Sequence, residues 1–149
     1  MLLNQTTIQT ESKIPKLAPR TSIATKEPIK ILVVDDDEIA RCYSKNILER
    51  MDCKVDIASS GKEALAMLKQ HIYDLVFMDI DLPDMTGLEI TAQFRKTQSP
   101  FLRTPIVGLT SNTGDKIRAE CCEAGMDTMI SKPASMQQLK ALLNFFVVQ

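Results

Sequence analysis

Two short runs constrain this chain more than any other feature: "IKILVVD" at 29 to 35 and "YDLVFMD" at 73 to 79, each almost unbroken in apolar character and each closed by an aspartate. A strand with one wet face alternates apolar and polar residues. An unbroken run of β-branched and large apolar residues fits a strand covered on both faces, which is the situation in a parallel sheet. Shorter runs of the same kind, "KVDIA" (54 to 58), "PIVGLT" (105 to 110) and "TMISK" (128 to 132), bring the expected strands to five.

Between them the apolar residues recur at helical spacing: Ile39, Tyr43, Ile47 and Met51; Leu65, Leu68 and Ile72; Ile90 and Phe94; Ile117, Cys121 and Ala124; Met136, Leu139, Leu143 and Phe146. Gly61, Gly87 and Gly125 punctuate the expected helix boundaries. Five strands alternating with five helices predict a doubly wound α/β fold, a five-stranded parallel sheet with right-handed crossovers. The length of 149 residues, 44% of them apolar and 25% charged, fits one such domain with some excess. The excess is placed at 1 to 28, where Pro15, Pro19 and Pro28 interrupt a Thr-, Ser- and Lys-rich stretch that predicts a flexible N-terminal arm, with the domain at 29 to 149.

Several function classes lose their support at this point. A formal net charge of -1 offers no electrostatic case for nucleic acid or for a membrane surface. No basic residue precedes Lys13 and polar residues follow Leu3, so a secretory signal is not expected and a cytoplasmic location is. Cys42, Cys53, Cys121 and Cys122 have no paired C-x-x-C spacing, and His71 alone does not complete a zinc set; they are expected to be reduced and mostly packed, with His71 exposed near a helix end and the methionines in the core.

In a doubly wound sheet, ligands collect beyond the carboxyl ends of the strands. There this chain places Asp35 and Asp36, then Asp79, Thr110 and Lys132. Two carboxylates about 4 Å apart repel by roughly 4 kcal/mol at an effective dielectric of ~20, so the acids require a cation among them. Oxygen donors without thiolate or imidazole select Mg²⁺ or Mn²⁺, and Mg²⁺ commonly completes its shell with phosphate. Lys132 and the Thr110 hydroxyl are then the expected donors to phosphoryl oxygens. With no Ser, Cys or His placed beside a base, Asp79 is the best candidate to take a phosphoryl group itself, as an acyl phosphate. Asp36 and Asp37 also suit helix N-caps, which would leave Asp35 unexplained.

Four stretches, "ILVVDDDEIAR", "DLVFMDIDLPDMTGLE", "TPIVGLTSN" and "AGMDTMISKP", together resemble the receiver domains of two-component response regulators and hybrid histidine kinases, over residues 29 to 147. The resemblance implies Asp79 as phosphoacceptor; Mg²⁺ held by Asp36, Asp79 and the Asp81 carbonyl, with Asp35 acting through water; and Thr110, Ser111 and Lys132 around the phosphoryl group. It implies a cis bond before Pro133. It also implies a histidine kinase or histidine phosphotransfer protein as donor and an unidentified protein as recipient of the signal, with slow loss of phosphate past Asp81 and Asn112 and no enzymatic turnover of its own. Met129 stands where many receivers carry Tyr or Phe, so its coupling to Thr110 is expected to be softer. The "DIDLP" segment also has the Asp-x-Asp form of aspartate-nucleophile phosphohydrolases of the haloacid dehalogenase type, although Pro83 and an acidic pair placed before the nucleophile strand depart from that pattern.

Overall fold

The computed structural model describes residues 27–99, 102–112 and 114–147; the arm expected at 1 to 28 lies almost entirely outside them. Five strands alternate with five helices: β1 (Lys30–Val34), α1 (Glu38–Arg50), β2 (Lys54–Ala58), α2 (Gly61–Gln70), β3 (Leu75–Asp79), α3 (Gly87–Thr97), β4 (Ile106–Thr110), α4 (Asp115–Ala124), β5 (Thr128–Ser131) and α5 (Met136–Phe146). All pairings are parallel and the strand order is β2-β1-β3-β4-β5, so the sheet reverses its winding between β1 and β3. That reversal leaves a crevice at the carboxyl ends of those two strands.

The unbroken apolar runs are explained by two cores. Leu32, Val34, Val76 and Met78 pack on one face with Leu68, Ile90, Phe94 and Cys121 from α2, α3 and α4. Ile31, Val33, Leu75 and Phe77 pack on the other with Ile47, Leu48, Leu139 and Leu143 from α1 and α5. Period-two alternation keeps Asp35 in step with Ile31 and Val33, and Asp79 in step with Leu75 and Phe77. Both acids therefore lean to the α1–α5 side, on adjacent strands.

The helix boundaries follow from capping. Asp37, Ser60, Thr86 and Ser135 accept from backbone N–H groups in the first turns of α1, α2, α3 and α5, and Glu89 and Gln138 complete capping boxes. Gly125 ends α4 at φ 105°, a left-handed position that glycine adopts without the Cβ penalty. The Arg95 guanidinium donates to the Gly125 and Thr104 carbonyls at 3.0 and 2.7 Å and pairs with Asp127 at 3.2 Å, tying the end of α3 to the segment before β4 and to the turn between α4 and β5.

Three expectations about packing need correction. In α1 the buried face is Ser44, Ile47 and Leu48, while Ile39 is 80% exposed and Tyr43 half-exposed: the helix turns its small and central residues to the sheet, and its first apolar residues stand at the rim. Ile72 lies beyond the end of α2 and Met136 in the first turn of α5, both exposed, so neither belongs to a core stripe. Of the four free cysteines, Cys53 and Cys121 are buried but Cys42 and Cys122 are exposed, so the thiols are not mostly packed.

Gly87 is held against β3: a Cβ there would run into the Asp79 carbonyl oxygen and approach Met78 Cγ at 2.9 Å. Backbone cannot yield as a flexible side chain can. Gly87→Ala is therefore expected to destabilise the domain by about 1–3 kcal/mol, the usual cost of overpacking, measured as a lowered urea midpoint with unchanged slope. Wild-type stability in that variant would show the contact to be slack.

Candidate functional site

Ligand oxygens of Asp35, Asp36 and Asp79 lie within 4.8 Å of one another at the switch between β1 and β3. Asp35 and Asp79 are buried and Asp36 is exposed, so the group has one open side. The Lys132 ammonium is 3.2 Å from Asp79 Oδ2 and 3.5 Å from Asp35 Oδ2. Lys132 is brought there by the extension of β5, where its N–H donates to the Thr110 carbonyl at 2.9 Å. The Lys132–Pro133 peptide bond is cis.

Each carboxylate is aimed by its own local chain. Asp35 Oδ1 accepts from the Asp37 N–H at 3.0 Å, and Asp79 Oδ1 accepts from the Asp81 N–H at 3.0 Å. These are turns in which an aspartate holds the backbone two residues on. Asp79 Oδ2 is buried without a directed hydrogen bond; the ammonium of Lys132 reaches it as a charge contact only. Three carboxylates facing one ammonium leave about two negative charges unmatched, which a divalent cation offsets. The oxygen-only donor set suits Mg²⁺ or Mn²⁺. The Asp81 carboxylate is exposed and outside the group of three, so the Asp-x-Asp pair does not form a two-carboxylate site of its own.

Thr110 is 1% exposed at the end of β4, and its hydroxyl is engaged at both ends: it donates to the Asn112 carbonyl at 3.0 Å and accepts from the Asn112 N–H at 2.9 Å. Ser111 beside it is exposed. Met129 is buried on the sheet face packed by α4, in step with Gly108 across the ladder, and its sulfur lies 3.6 Å from Cys121 Sγ on that helix. Alternation places Thr110 on this same face, with Ile106 and Gly108.

Two contributors, and a further role for Asn112, were not anticipated from sequence. Arg41 Nη1 donates to the Asp35 carbonyl at 2.8 Å, bracing the acidic turn from α1. Asp84 receives the Gly61 and Lys62 N–H groups at 2.8 and 2.9 Å, fastening the loop after β3 to the start of α2; these donors hold its carboxyl below the usual range. Asn112 holds the Thr110 hydroxyl through its backbone. In sequence Arg41 is one of several helix charges and Asp84 an ordinary turn acid, and backbone partners leave no residue signature.

Burial pushes the Asp79 carboxyl up to about 6, with Asp35 adding to the effect, while the Asp81 N–H and Lys132 oppose it. Burial works against the Lys132 ammonium too, but Asp79 and Asp35 outweigh it and hold Lys132 above the ordinary lysine range. The folded Asp79 value lies above its ordinary 3.8, so the stability tied to the neutral acid is complete below pH 3.8 and is lost as pH rises through about 6. Asp79→Asn is thus expected to stabilise the metal-free protein at pH 7 by about 1–3 kcal/mol, a gain that shrinks as pH falls toward 4. Urea titrations in chelator at both pH values measure it, and a variant less stable than wild type at pH 7 contradicts the burial argument.

Comparison with known proteins agrees with this architecture. Residues 31–144 match the family model described as response regulator receiver domain. The chain is 41% identical over 118 residues to the aerobic respiration control sensor protein ArcB of Escherichia coli, covering 79% of this chain and 15% of that protein. It is 35% identical over 119 residues to hybrid signal transduction histidine kinase L of Dictyostelium discoideum, covering 76% and 7%. The chain thus spans only a small part of these relatives. Among solved structures, the chemotaxis protein CheY4 of Vibrio cholerae superposes with a TM-score of 0.75 at 30% identity, over 80% of this chain and 99% of that one. No described helix is long and apolar enough to cross a membrane. With the family model covering most of the chain and five parallel strands carrying the acids at their switch point, the chain belongs to the receiver domains of two-component response regulators.

Proposed function

We propose that this domain accepts a phosphoryl group on Asp79 from the phosphohistidine of a histidine kinase or histidine phosphotransfer protein, and hands the signal, or the phosphoryl group, to a further protein. The observation that carries it is the Asp79 carboxylate, wholly buried at a strand tip with two more carboxylates and one lysine around it. A structural ion pair has no use for two surplus acids. The hybrid signal transduction histidine kinase among the relatives supports the identity of the donor.

Asp36, Asp79 and the Asp81 carbonyl would hold Mg²⁺, or Mn²⁺ in its place, with Asp35 acting through water. Bound there, the ion neutralises phosphoryl oxygens. In the transfer an oxygen of Asp79 forms the new P–O bond as the P–N bond of the phosphohistidine breaks; the electron pair stays on the imidazole, which takes up a proton. The Lys132 ammonium, about one-quarter exposed, leaves Oδ2 and follows the phosphoryl oxygens. Thr110 exchanges the Asn112 carbonyl for a phosphoryl oxygen, with Ser111 alongside. Met129 lines the space behind Thr110 and yields to that shift without the fixed pose of an aromatic ring.

Incubation with acetyl phosphate and Mg²⁺ is expected to give one phosphoryl adduct by intact mass, absent in Asp79→Asn, absent with chelator and cleaved by hydroxylamine. Steady release of phosphate without an adduct would instead mark a hydrolase, and an adduct that persists in Asp79→Asn would misplace the acceptor.

The donor's face is proposed to be the rim of α1, where Ile39 and Tyr43 are exposed two and six residues after the N-cap Asp37, with Met136 exposed at the start of α5. Apolar residues clustered at a charged site suit a protein surface better than solvent. Ile39→Glu is expected to slow transfer from a phosphohistidine-bearing kinase by about tenfold or more while leaving acetyl phosphate labelling unchanged. Equal slowing of both reactions would mean damage to the site, and no slowing would place the donor elsewhere.

A further inference from the structure

A continuous groove runs between α2 and α3. Three depressions of about 620, 200 and 250 Å³ merge along it: Leu65, Lys69 and Gln93 line both the first and the second, and Lys69, Phe94 and Thr97 both the second and the third. None of the acidic-site residues lines it. Its apolar floor extends from Met85 and Leu65 to Ile72 and Leu102, which are 67% and 49% exposed.

The charge of the groove has one sign. Among the described residues Lys62, Lys69 and Lys96 line it and no Asp or Glu does, on a chain whose formal net charge is -1. Among the described residues none of these lysines forms an ion pair. The acids on the two helices are engaged at the N-terminal ends: Glu63 accepts from the Ser59 N–H at 2.7 Å and Glu89 from the Thr86 N–H at 3.0 Å. Asp84 sits at the same end, bonded to the Gly61 and Lys62 N–H groups. Acids thus offset Lys62, and the uncompensated positive charge falls at Lys69 and Lys96, in the last turns of the two helices.

We propose that the α2–α3 groove docks an acidic amphipathic helix of a partner protein. The apolar floor takes the partner's apolar stripe, and Lys69 and Lys96 take Asp or Glu flanking that stripe. A helix seats between two neighbouring helices as ridges seat in grooves. This chain's own residues 1 to 26 suit the groove poorly, because Lys13, Lys16, Arg20 and Lys26 outnumber Glu11 and carry the same sign as the rim. The surface is separate from the α1 rim proposed for the phosphoryl donor.

The test uses the full chain, ¹⁵N-labelled, titrated with two designed helical peptides of about 12 residues, long enough to run the length of either helix. Both carry the same leucine stripe, flanked in one by Glu and in the other by Lys. The Glu peptide is expected to shift amides of α2 and α3 selectively. Its affinity is expected to fall about fivefold or more in the Lys69→Gln/Lys96→Gln double variant, and to fall with added salt. The Lys peptide is expected to bind at least as weakly as the Glu peptide does to that variant. The double variant should keep its acetyl phosphate labelling, showing that the fold and the acidic site are intact. Equal binding of the two peptides overturns the proposal, as do shifts confined to α1 and α5. So does silence at the groove, whether because the chain's own arm fills it or because a second copy does, the latter marked by concentration-dependent shifts without peptide.

Discussion

The electrostatic imbalance at the switch between β1 and β3 is the constraint around which the rest of the molecule is arranged. Two buried carboxylates and a third at the surface face a single ammonium. Left to itself such a group would spread apart or take up protons, and the Asp79 carboxyl, raised by burial with Asp35 adding to the effect, leans toward the second. What prevents the first is the sheet: Asp35 and Asp79 are fixed by strands packed on both faces, and neither can swing outward without lifting an apolar neighbour from its core.

That rigidity is bought with close approaches elsewhere. Gly87 starts α3 directly against the Asp79 carbonyl, so the loop after β3 can leave the strand and return within a few residues. Asp84 anchors the middle of that loop to the start of α2, and Arg41 supports the carbonyl of Asp35 from α1. The site is thus braced from three helices, while the Lys132 ammonium is held there by its ion pairs with Asp35 and Asp79. The strength of such a contact depends on the charge the ammonium faces and not on one fixed direction, so it sets the Lys132 side chain less rigidly than the hydrogen-bonded turns set the carboxylates.

Much of this was legible in the sequence because strand burial and carboxylate placement have direct signatures. Two-sided burial forces continuous apolar runs, and their Asp endings had no explanation in packing. What escaped were arrangements that depend on where a helix is rotated or which backbone atom is near. Ile39 and Tyr43 have the spacing of a core stripe, but α1 presents Ser44, Ile47 and Leu48 to the sheet, since rotation is settled by the fit to β1 and β2 and not by the helix alone. The reciprocal bonds between Thr110 and Asn112, and the Arg41 contact to the Asp35 carbonyl, use main-chain atoms that every residue carries. The Thr110 hydroxyl and the Lys132 amine, by contrast, were legible only as members of an ordered set, because either alone reads as an ordinary strand end.

Arg95 gives the fold a mechanical asymmetry. Its guanidinium joins the carbonyl at the end of α4, the carbonyl before β4 and the Asp127 carboxylate that also holds the N–H of Ile106. The lower end of α4 is therefore pinned, while its upper end begins at Gly114 without a side-chain cap. A rod clamped at one end and loose at the other answers a push by tilting. Any displacement of Thr110 that reached α4 would be smallest at Gly125 and largest at the first turn, tilting the helix about Arg95 with its greatest travel at the end nearest the carboxylates.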